Sequence, residues 1–277
     1  MAVSVKTASF DVALPFDVPT IRNSLFKGKL SGVILYRGPS MLDGAPIVMV
    51  ATSFAGSDNE KTGDLVQTYI VRDDMHPKDA VNNGADASVC GACIHRKQPD
   101  GSRSCYVNLA FGVGSVARGL AKGIYPDMSG ASDDEIAALG AGLRVRLGTY
   151  GDPAAVPFAR CAALIRNAEM HTAYTHQWRA FPAFAAIAMA SADSEDEARE
   201  AWALGWRTFR VAPDTGWNAL PGDILGPASA EAGKRTTSER CSMCGGAGVK
   251  AKSIMIPNHS ASANAAKRRA DIFRKAA

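Results

Sequence analysis

Residues 143–157 read LRVRLGTYGDPAAVP, and this stretch decides the predicted fold. Charged and apolar residues alternate over its first part, which is the pattern of a half-buried strand. Gly151 and Pro153 then end the strand in a tight turn, with Asp152 between them. A helix-forming segment, VPFARCAALIRNAE, follows directly. Strand, turn and helix in this order predict a parallel strand followed by a crossover helix.

The same alternation of strands and helices continues on both sides of this stretch. The strand-like segments are CYVNLAF, LRVRLGTYG, HTAYTHQW, AIAMASA, TFRVAP, GDILGPAS and SIMIPNHS. Helical segments such as GSVARGLAKG and SEDEAREAWALG lie between them, and in the second Ser194 and Gly205 are suitable cap residues. About seven parallel strands with crossover helices favour an α/β protein with a full or partial (β/α) TIM-like barrel.

The first part of the chain has a different pattern. SGVILYRG, APIVMVATSF and DLVQTYIVRD are short β-rich runs separated by Gly, Pro and Asp, which predicts a small antiparallel sheet. We therefore predict an N-terminal β-rich extension over residues 1–85 and a barrel-like domain over residues 86–277. The second ends in a basic segment, AAKRRADIFRKAA, predicted to be an amphipathic helix.

Composition limits the classes of protein to which the chain can belong. Its 277 residues carry a formal net charge of +4, which permits a nucleic-acid partner without requiring one. No apolar run approaches the roughly 20 residues that cross a bilayer, so we expect no membrane partner. Asp11 and Asp17 interrupt the N-terminus, which predicts no signal peptide. We expect a cytoplasmic protein, and the oligomeric state stays open.

Six cysteines in a protein expected in the cytoplasm are typical of free thiols or metal ligands. Cys90 and Cys93 form a CxxC motif and Cys105 follows closely, so all three are predicted to bind one metal centre. Three thiolates can hold an iron–sulfur cluster with one open iron, or zinc with His95 as the fourth ligand.

The other three cysteines form a second pair and a single residue, which we interpret differently. Cys241 and Cys244 form a second CxxC, with His259 downstream, and we predict both cysteines as metal ligands. If no metal binds there, the pair consists of free thiols on a Gly-rich loop. Cys161 lies on the apolar face of FARCAALI and is predicted to be a core residue.

Polar residues follow three successive predicted strands. Asp152 follows the first, His176 and Gln177 end the second, and Asp193 follows the third. Ligands and catalytic groups in (β/α) barrels lie at the carboxyl ends of the strands. We therefore predict these four residues as catalytic. The alternative for Asp152 is that it only caps the helix that follows.

Several segments together resemble a family of phage and prophage proteins, some of which are labelled rolling-circle replication proteins. These segments are ILYRGPSMLDG, KTGDLVQTYI, CGAC…CYVN, GTYGDPAAVP, YTHQW, MASAD and GPASAEAGKRT. The resemblance covers about residues 31–260 and implies a phage origin and a bacterial host cell. In that family the second motif often has four cysteines, and Gly226 and Ser238 are departures from it.

More distantly, the layout resembles radical S-adenosylmethionine enzymes, which are full or partial barrels with three cysteines near the first strand. The resemblance implies an iron–sulfur cluster on Cys90, Cys93 and Cys105. It also implies S-adenosylmethionine bound at Tyr150, Gly151 and Asp152, and a radical that abstracts a substrate hydrogen. The cysteine spacing and an Asp in place of a Glu in the turn depart from that family. The leading prediction is thus a cysteine-ligated, radical-SAM-like metalloenzyme acting on a nucleotide or nucleic acid.

Two alternatives stay open. One is a zinc-braced DNA-modifying enzyme similar to transglycosylases that exchange guanine for a deazaguanine, with Asp152 as nucleophile or general base and Gln177 reading a base edge. The other is a DNA-binding replication protein without enzymatic activity. Rolling-circle initiators of the usual kind need two histidines flanking one apolar residue, and none of the five histidines forms that pattern.

Overall fold

The computed structural model describes residues 17–56, 63–212, 218–233 and 236–258. The predicted C-terminal helix and His259 lie outside these ranges. The described strands are β1 (Gly32–Pro39), β2 (Pro46–Thr52), β3 (Val66–Arg72), β4 (Arg144–Tyr150), β5 (Met170–Thr172), β6 (Tyr174–Thr175), β7 (Met189–Ala192), β8 (Thr208–Ala212), β9 (Asp223–Leu225) and β10 (Ser253–Pro257). The α-helices are α1 (Val18–Phe26), α2 (Pro77–Asn83), α3 (Ala87–Cys90), α4 (Gly114–Ala121), α5 (Asp133–Gly140), α6 (Phe158–Ile165), α7 (Glu195–Ala203) and α8 (Ser238–Cys241).

The first sheet has the order β1-β2-β3-β4-β5. The β1–β2 and β2–β3 pairs are antiparallel, as predicted for the N-terminal part, whereas β3–β4 and β4–β5 are parallel. Strands from both sides of residue 85 therefore share one sheet. The two-part division of the chain at that residue stays a prediction.

The second sheet has the order β6-β7-β8-β10-β9, and all its pairs are parallel. It nearly continues the first, since only Ala173 separates β5 from β6. The Ala173 amide donates to the carbonyl of Cys244, and the Ala173 carbonyl accepts from the amide of Met189. The protein is thus a mixed α/β structure with two sheets that contain parallel strands. Its described strands form no closed barrel, so a full barrel is not confirmed.

One predicted strand is wrong. CYVNLAF, expected to be the first barrel strand, is irregular up to Asn108, and a single helical turn, interrupted at Phe111, covers Leu109–Val113. The Asn108 side chain accepts a hydrogen bond from the amide of Ala110 and so caps that turn. Tyr106 and Phe111 are exposed, whereas Val107 and Leu109 are half-buried and pack against the core without joining a sheet.

Helix boundaries follow the sequence signals closely. The Ser194 side chain accepts from the amide of Glu197 at the start of α7, and Gly205 adopts a left-handed conformation after its end. Cys161 on α6 is fully buried, which confirms its prediction as a core residue. No helix in the described ranges combines the length and apolar character that a membrane span needs.

Candidate metal centre

Polar side chains converge at the carboxyl ends of neighbouring parallel strands. Asp152 follows β4, His176 follows β6 and Asp193 follows β7. The His176 amide donates to Oδ2 of Asp152 at 2.9 Å, and Nε2 of His176 lies 3.2 Å from Oδ2 of Asp193. The structure therefore brings together the strand-end residues selected from the sequence.

The thiols of Cys90, Cys93 and Cys105 lie beside this group. Cys90 ends α3, and its carbonyl accepts from the amide of Cys93 at 3.3 Å. The loop then folds back, so that the amide of Cys105 donates to the carbonyl of His95 at 2.9 Å. Burial raises the pKa of Cys90 well above its ordinary value, and the negative charges of Cys93 and Cys105 raise it further. A cation bound here would lower the pKa of Cys90 and favour its thiolate.

His95 fixes the cysteine loop to the end of β7. Its Nε2 lies 2.8 Å from Oδ1 of Asp193, and its Nδ1 lies 2.8 Å from Oγ of Ser104. All three side chains are buried. Both ring nitrogens of His95 are thus engaged within the protein. The fourth-ligand role expected for His95 stays a prediction.

His176 lies between a thiol and a carboxylate. Its Nε2 is 3.9 Å from Sγ of Cys93 as well as 3.2 Å from Asp193. Burial alone lowers the pKa of His176, but the charges of Cys93 and Asp193 outweigh this effect and raise the pKa well above its ordinary value. A nucleophilic cysteine relay needs the thiol and the carboxylate on opposite ring nitrogens. Here both face the same nitrogen, which favours a ligand group over a Cys-His-Asp relay.

The pKa of Asp193 is shifted in the opposite direction to that of His176. Burial on its own raises the pKa of this carboxyl, yet hydrogen bonds and charges from His176 and His95 hold it well below its usual range. Asp193 is therefore an ionised carboxylate shared by two histidines. It holds both imidazole rings in place through their Nε2 atoms.

Gln177 contacts the loop between the first two cysteines. Its Nε2 donates to the carbonyl of Cys90 at 3.2 Å, and its Oε1 accepts from the amide of Ala92 at 3.3 Å. Gly91 lies between Cys90 and Ala92 and has a φ of +56°. A Cβ at this position would come within 2.4 Å of Cδ of the Gln177 side chain. Gln177 thus holds the backbone of the CxxC turn.

Asp152 is occupied by structural contacts. It is 7% exposed; its Oδ1 accepts from the amide of Ala154 and its Oδ2 from that of His176. The Thr175 hydroxyl is a further partner, while burial raises the pKa of this carboxyl. Gly151 has a φ of +82° and packs against Ile70, where a Cβ would lie 2.7 Å from that of Ile70. These contacts suit the capping alternative, and a cofactor role for the turn stays a prediction.

Tyr150 places an unsatisfied polar atom next to the thiols. Its side chain is buried, and its hydroxyl has no hydrogen-bond partner among the described residues. Burial raises the pKa of Tyr150, and the charges of Cys90 and Cys105 add to the shift. A buried hydroxyl normally has a partner, and a group bound beside the thiols would be able to supply one here.

An ion pair between the half-buried Arg96 and the buried Asp86 offsets part of the negative charge of the site. Arg96 bonds Asp86 at 2.5 Å and also donates to the carbonyls of Gly84 and Gly91. Burial opposes the charged form of Arg96, but Asp86 and then Cys90 and Cys93 raise its pKa. The sequence reasoning missed this pair, although an arginine three residues after a CxxC motif was an available signal.

Ligand spacing separates two possible metal sites. Within the described part of the chain, one set of three metal-ligand side chains has its ligand atoms all within 4.8 Å of one another: His95, His176 and Asp193. The three cysteines do not meet this limit, so at least one pair of their sulfurs is farther apart. Tetrahedral zinc requires sulfurs about 3.8 Å apart, whereas an iron–sulfur cluster distributes them over separate irons.

The second cysteine pair lies near the point where β5 passes into β6, since the Cys244 carbonyl accepts from the amide of Ala173. The Tyr174 hydroxyl and Cys244 share a hydrogen bond, and burial raises the pKa of Cys244. Arg207 donates to four backbone carbonyls of this loop, those of Met243, Gly245, Ala251 and Lys252. No described histidine or carboxylate joins Cys241 and Cys244 in a ligand set of three. A metal at this pair stays a prediction.

Comparisons with protein families, curated proteins and solved structures give no match to this chain. Its function has to be inferred from the site itself.

Proposed function

We propose that the protein is a cysteine-ligated metalloenzyme whose metal centre is bound by Cys90, Cys93 and Cys105. The observation that carries this proposal is the buried Tyr150 hydroxyl, which has no hydrogen-bond partner among the described residues. The charges of Cys90 and Cys105 act on this hydroxyl, and those of Cys93 and Cys105 act on Cys90. A metal centre would stabilise the three thiolates and supply the missing acceptor.

The form we favour is an iron–sulfur cluster with one open iron, as in radical SAM enzymes, on a partial (β/α) barrel. A cluster binds its cysteine sulfurs on separate irons, so this form does not need all three sulfurs within the spacing of a single ion. When bound, a cluster with S-adenosylmethionine supplies a carbon-centred radical that removes a hydrogen atom from a nucleotide or nucleic-acid substrate. A pocket that reaches Cys105 offers such a substrate access.

The residues around the thiols then have structural roles. Gln177 holds the CxxC turn through the Cys90 carbonyl, and Arg96 offsets part of the thiolate charge. His95 and Asp193 fix the loop on which Cys93 and Cys105 lie. His176, beside Cys93, either supplies an additional ligand or donates a hydrogen bond to a sulfur.

The test is to purify the full chain without oxygen and to measure iron, acid-labile sulfide, zinc and the visible spectrum. About four irons per chain with matching sulfide, and methionine release from S-adenosylmethionine under a reductant, are expected. Replacing Cys90, Cys93 or Cys105 by Ala should remove the metal. The matched control is Cys161→Ala, which removes a core thiol and should retain it. A chain that binds neither iron nor zinc after anaerobic reconstitution overturns the proposal.

Zinc is the second candidate because Nε2 of His176 lies 3.9 Å from Sγ of Cys93, which offers a Cys₃His set after a small closure of the loop. One zinc per chain, lost in His176→Ala, would favour the nucleobase-exchange alternative over the radical one. Since Asp152 is buried and occupied, its proposed role there as nucleophile needs an Asp152→Asn variant that folds but is inactive.

A further inference from the structure

A basic pocket opens beside the cysteine loop. It has a volume of about 620 Å³ and reaches Cys105. Cations line it, namely Lys78, Arg103 and Arg118, and no acidic side chain is among its described lining residues. A pocket of this size with one sign of charge favours an anionic ligand.

These cations are available to a ligand. Arg103 donates to the carbonyl of Val107 and Arg118 to the hydroxyl of Ser115, and neither forms an ion pair with a described carboxylate. Other arginines differ, since Arg37 and Arg210 face aspartates. An unpaired arginine retains donors that match phosphate oxygens.

Two exposed aromatic rings lie at this pocket or directly beside it. Tyr106 lines the pocket and is 58% exposed, and Phe111, in the turn that forms one wall, is 71% exposed. Arg146 donates to the Tyr106 hydroxyl at 3.1 Å and so fixes that ring. Exposed rings interleaved with unpaired cations match the alternating bases and phosphates of a single strand.

We infer that this pocket and the Tyr106–Phe111 segment bind single-stranded nucleic acid, with bases stacked on the two rings and phosphates on Arg103, Arg118 and Lys78. Phe111 lies outside the pocket lining, so the surface continues beyond the space that one nucleotide fills. This inference deepens the proposed function, because the bound strand would pass Cys105.

The experiment measures fluorescence anisotropy of a labelled oligothymidylate of about 12 nucleotides with the full-length protein over a range of salt. Three phosphate contacts predict a slope of log K against log salt of about −2, and Arg118→Ala or Lys78→Ala should reduce its size by about 0.7 each. Tyr106→Ala and Phe111→Ala should each weaken binding about 5- to 100-fold. An oligouridylate arm tells whether RNA or DNA is preferred.

Matched controls are Phe26→Ala, which removes another exposed ring, and Arg166→Ala, which removes an arginine outside this pocket. Both should bind as the wild type does. Three results would overturn the inference. The Tyr106 and Phe111 variants could bind the strand as tightly as the wild type does, or a duplex could bind more tightly than the single strand. Thymidine monophosphate, at the same concentration as an unlabelled competing strand, could displace the labelled strand equally well. Metal is assayed in the same preparations. Strand binding by a protein that takes up no iron or zinc after anaerobic reconstitution defeats the proposed metal centre alone, and a metal-loaded protein that binds no strand defeats this inference alone.

Discussion

His95 and Asp193 are joined by a buried hydrogen bond of 2.8 Å across 98 positions of sequence. This bond connects the cysteine loop to the carboxyl end of β7. The same carboxylate also holds His176, so one residue positions both histidines beside the thiols. The organisation of the site therefore depends on Asp193.

Asp193→Ala should destabilise the fold by about 3 kcal/mol, because it leaves the buried His95 and the half-buried His176 without their acceptor. Thermal unfolding of the metal-free protein measures this, with an expected fall of roughly 6–12 °C. The control is Asp196→Ala, since Asp196 lies nearby and its side chain is 84% exposed. Equal melting temperatures for the two variants would show that the shared carboxylate does not hold the loop.

Gly91→Ala should destabilise the protein more than Gly123→Ala does. Both glycines have positive φ, but a Cβ at Gly91 meets the Gln177 side chain, whereas nothing lies within 4 Å of one at Gly123. The control should lose about 1 kcal/mol of strain alone. Urea unfolding gives both values. The loss in free energy of unfolding that Gly91→Ala causes should be smaller when Gln177 is also replaced by Ala. If the losses of the two single variants simply add in the double variant, the proposed contact is contradicted.

Cys161 should be inert to alkylation in the native protein. Burial raises its pKa from 9.0 to about 12, so the thiolate is scarce at pH 8 and becomes common only above the folded pKa. Mass spectrometry after iodoacetamide treatment should find Cys161 modified in denaturant and unmodified without it. Cys241, which is partly exposed, serves as the internal comparison. Rapid native labelling of Cys161 would mean that α6 opens readily.

Arg207→Leu should loosen the second cysteine loop. The guanidinium satisfies four buried or half-buried carbonyls there, and their loss should cost about 3 kcal/mol or more. The readout is faster native alkylation of Cys244 together with a lower melting temperature. Arg240→Leu is the matched control on the neighbouring α8. Unchanged Cys244 labelling would argue that the loop is held by other contacts.

Some of this architecture was predictable because its signals are local. The run before Asp152 alternates along one strand, and Ser194 caps α7 through the residues beside it. The meeting of Asp152, His176 and Asp193 followed from a general rule on parallel strands.

The remaining features depend on distant partners. CYVNLAF alternates as a strand does, yet nothing in the segment reveals that no neighbour pairs with it. The insertion of β10 between β8 and β9, and the bond from Ala173 to Cys244, join residues far apart in sequence. The unpaired Tyr150 hydroxyl also arises only once the surroundings have assembled.

The position of β10 has a consequence for synthesis of the chain. Both β8 and β9 leave the ribosome before the strand that separates them, and β9 pairs with β10 alone among the described strands. The sheet stays open until residue 257 has emerged, whereas β1–β3 can pair in the order in which they are made. A nascent chain that has released β8 and β9 but not β10 therefore exposes two bare strand edges, which can pair with other chains and promote aggregation.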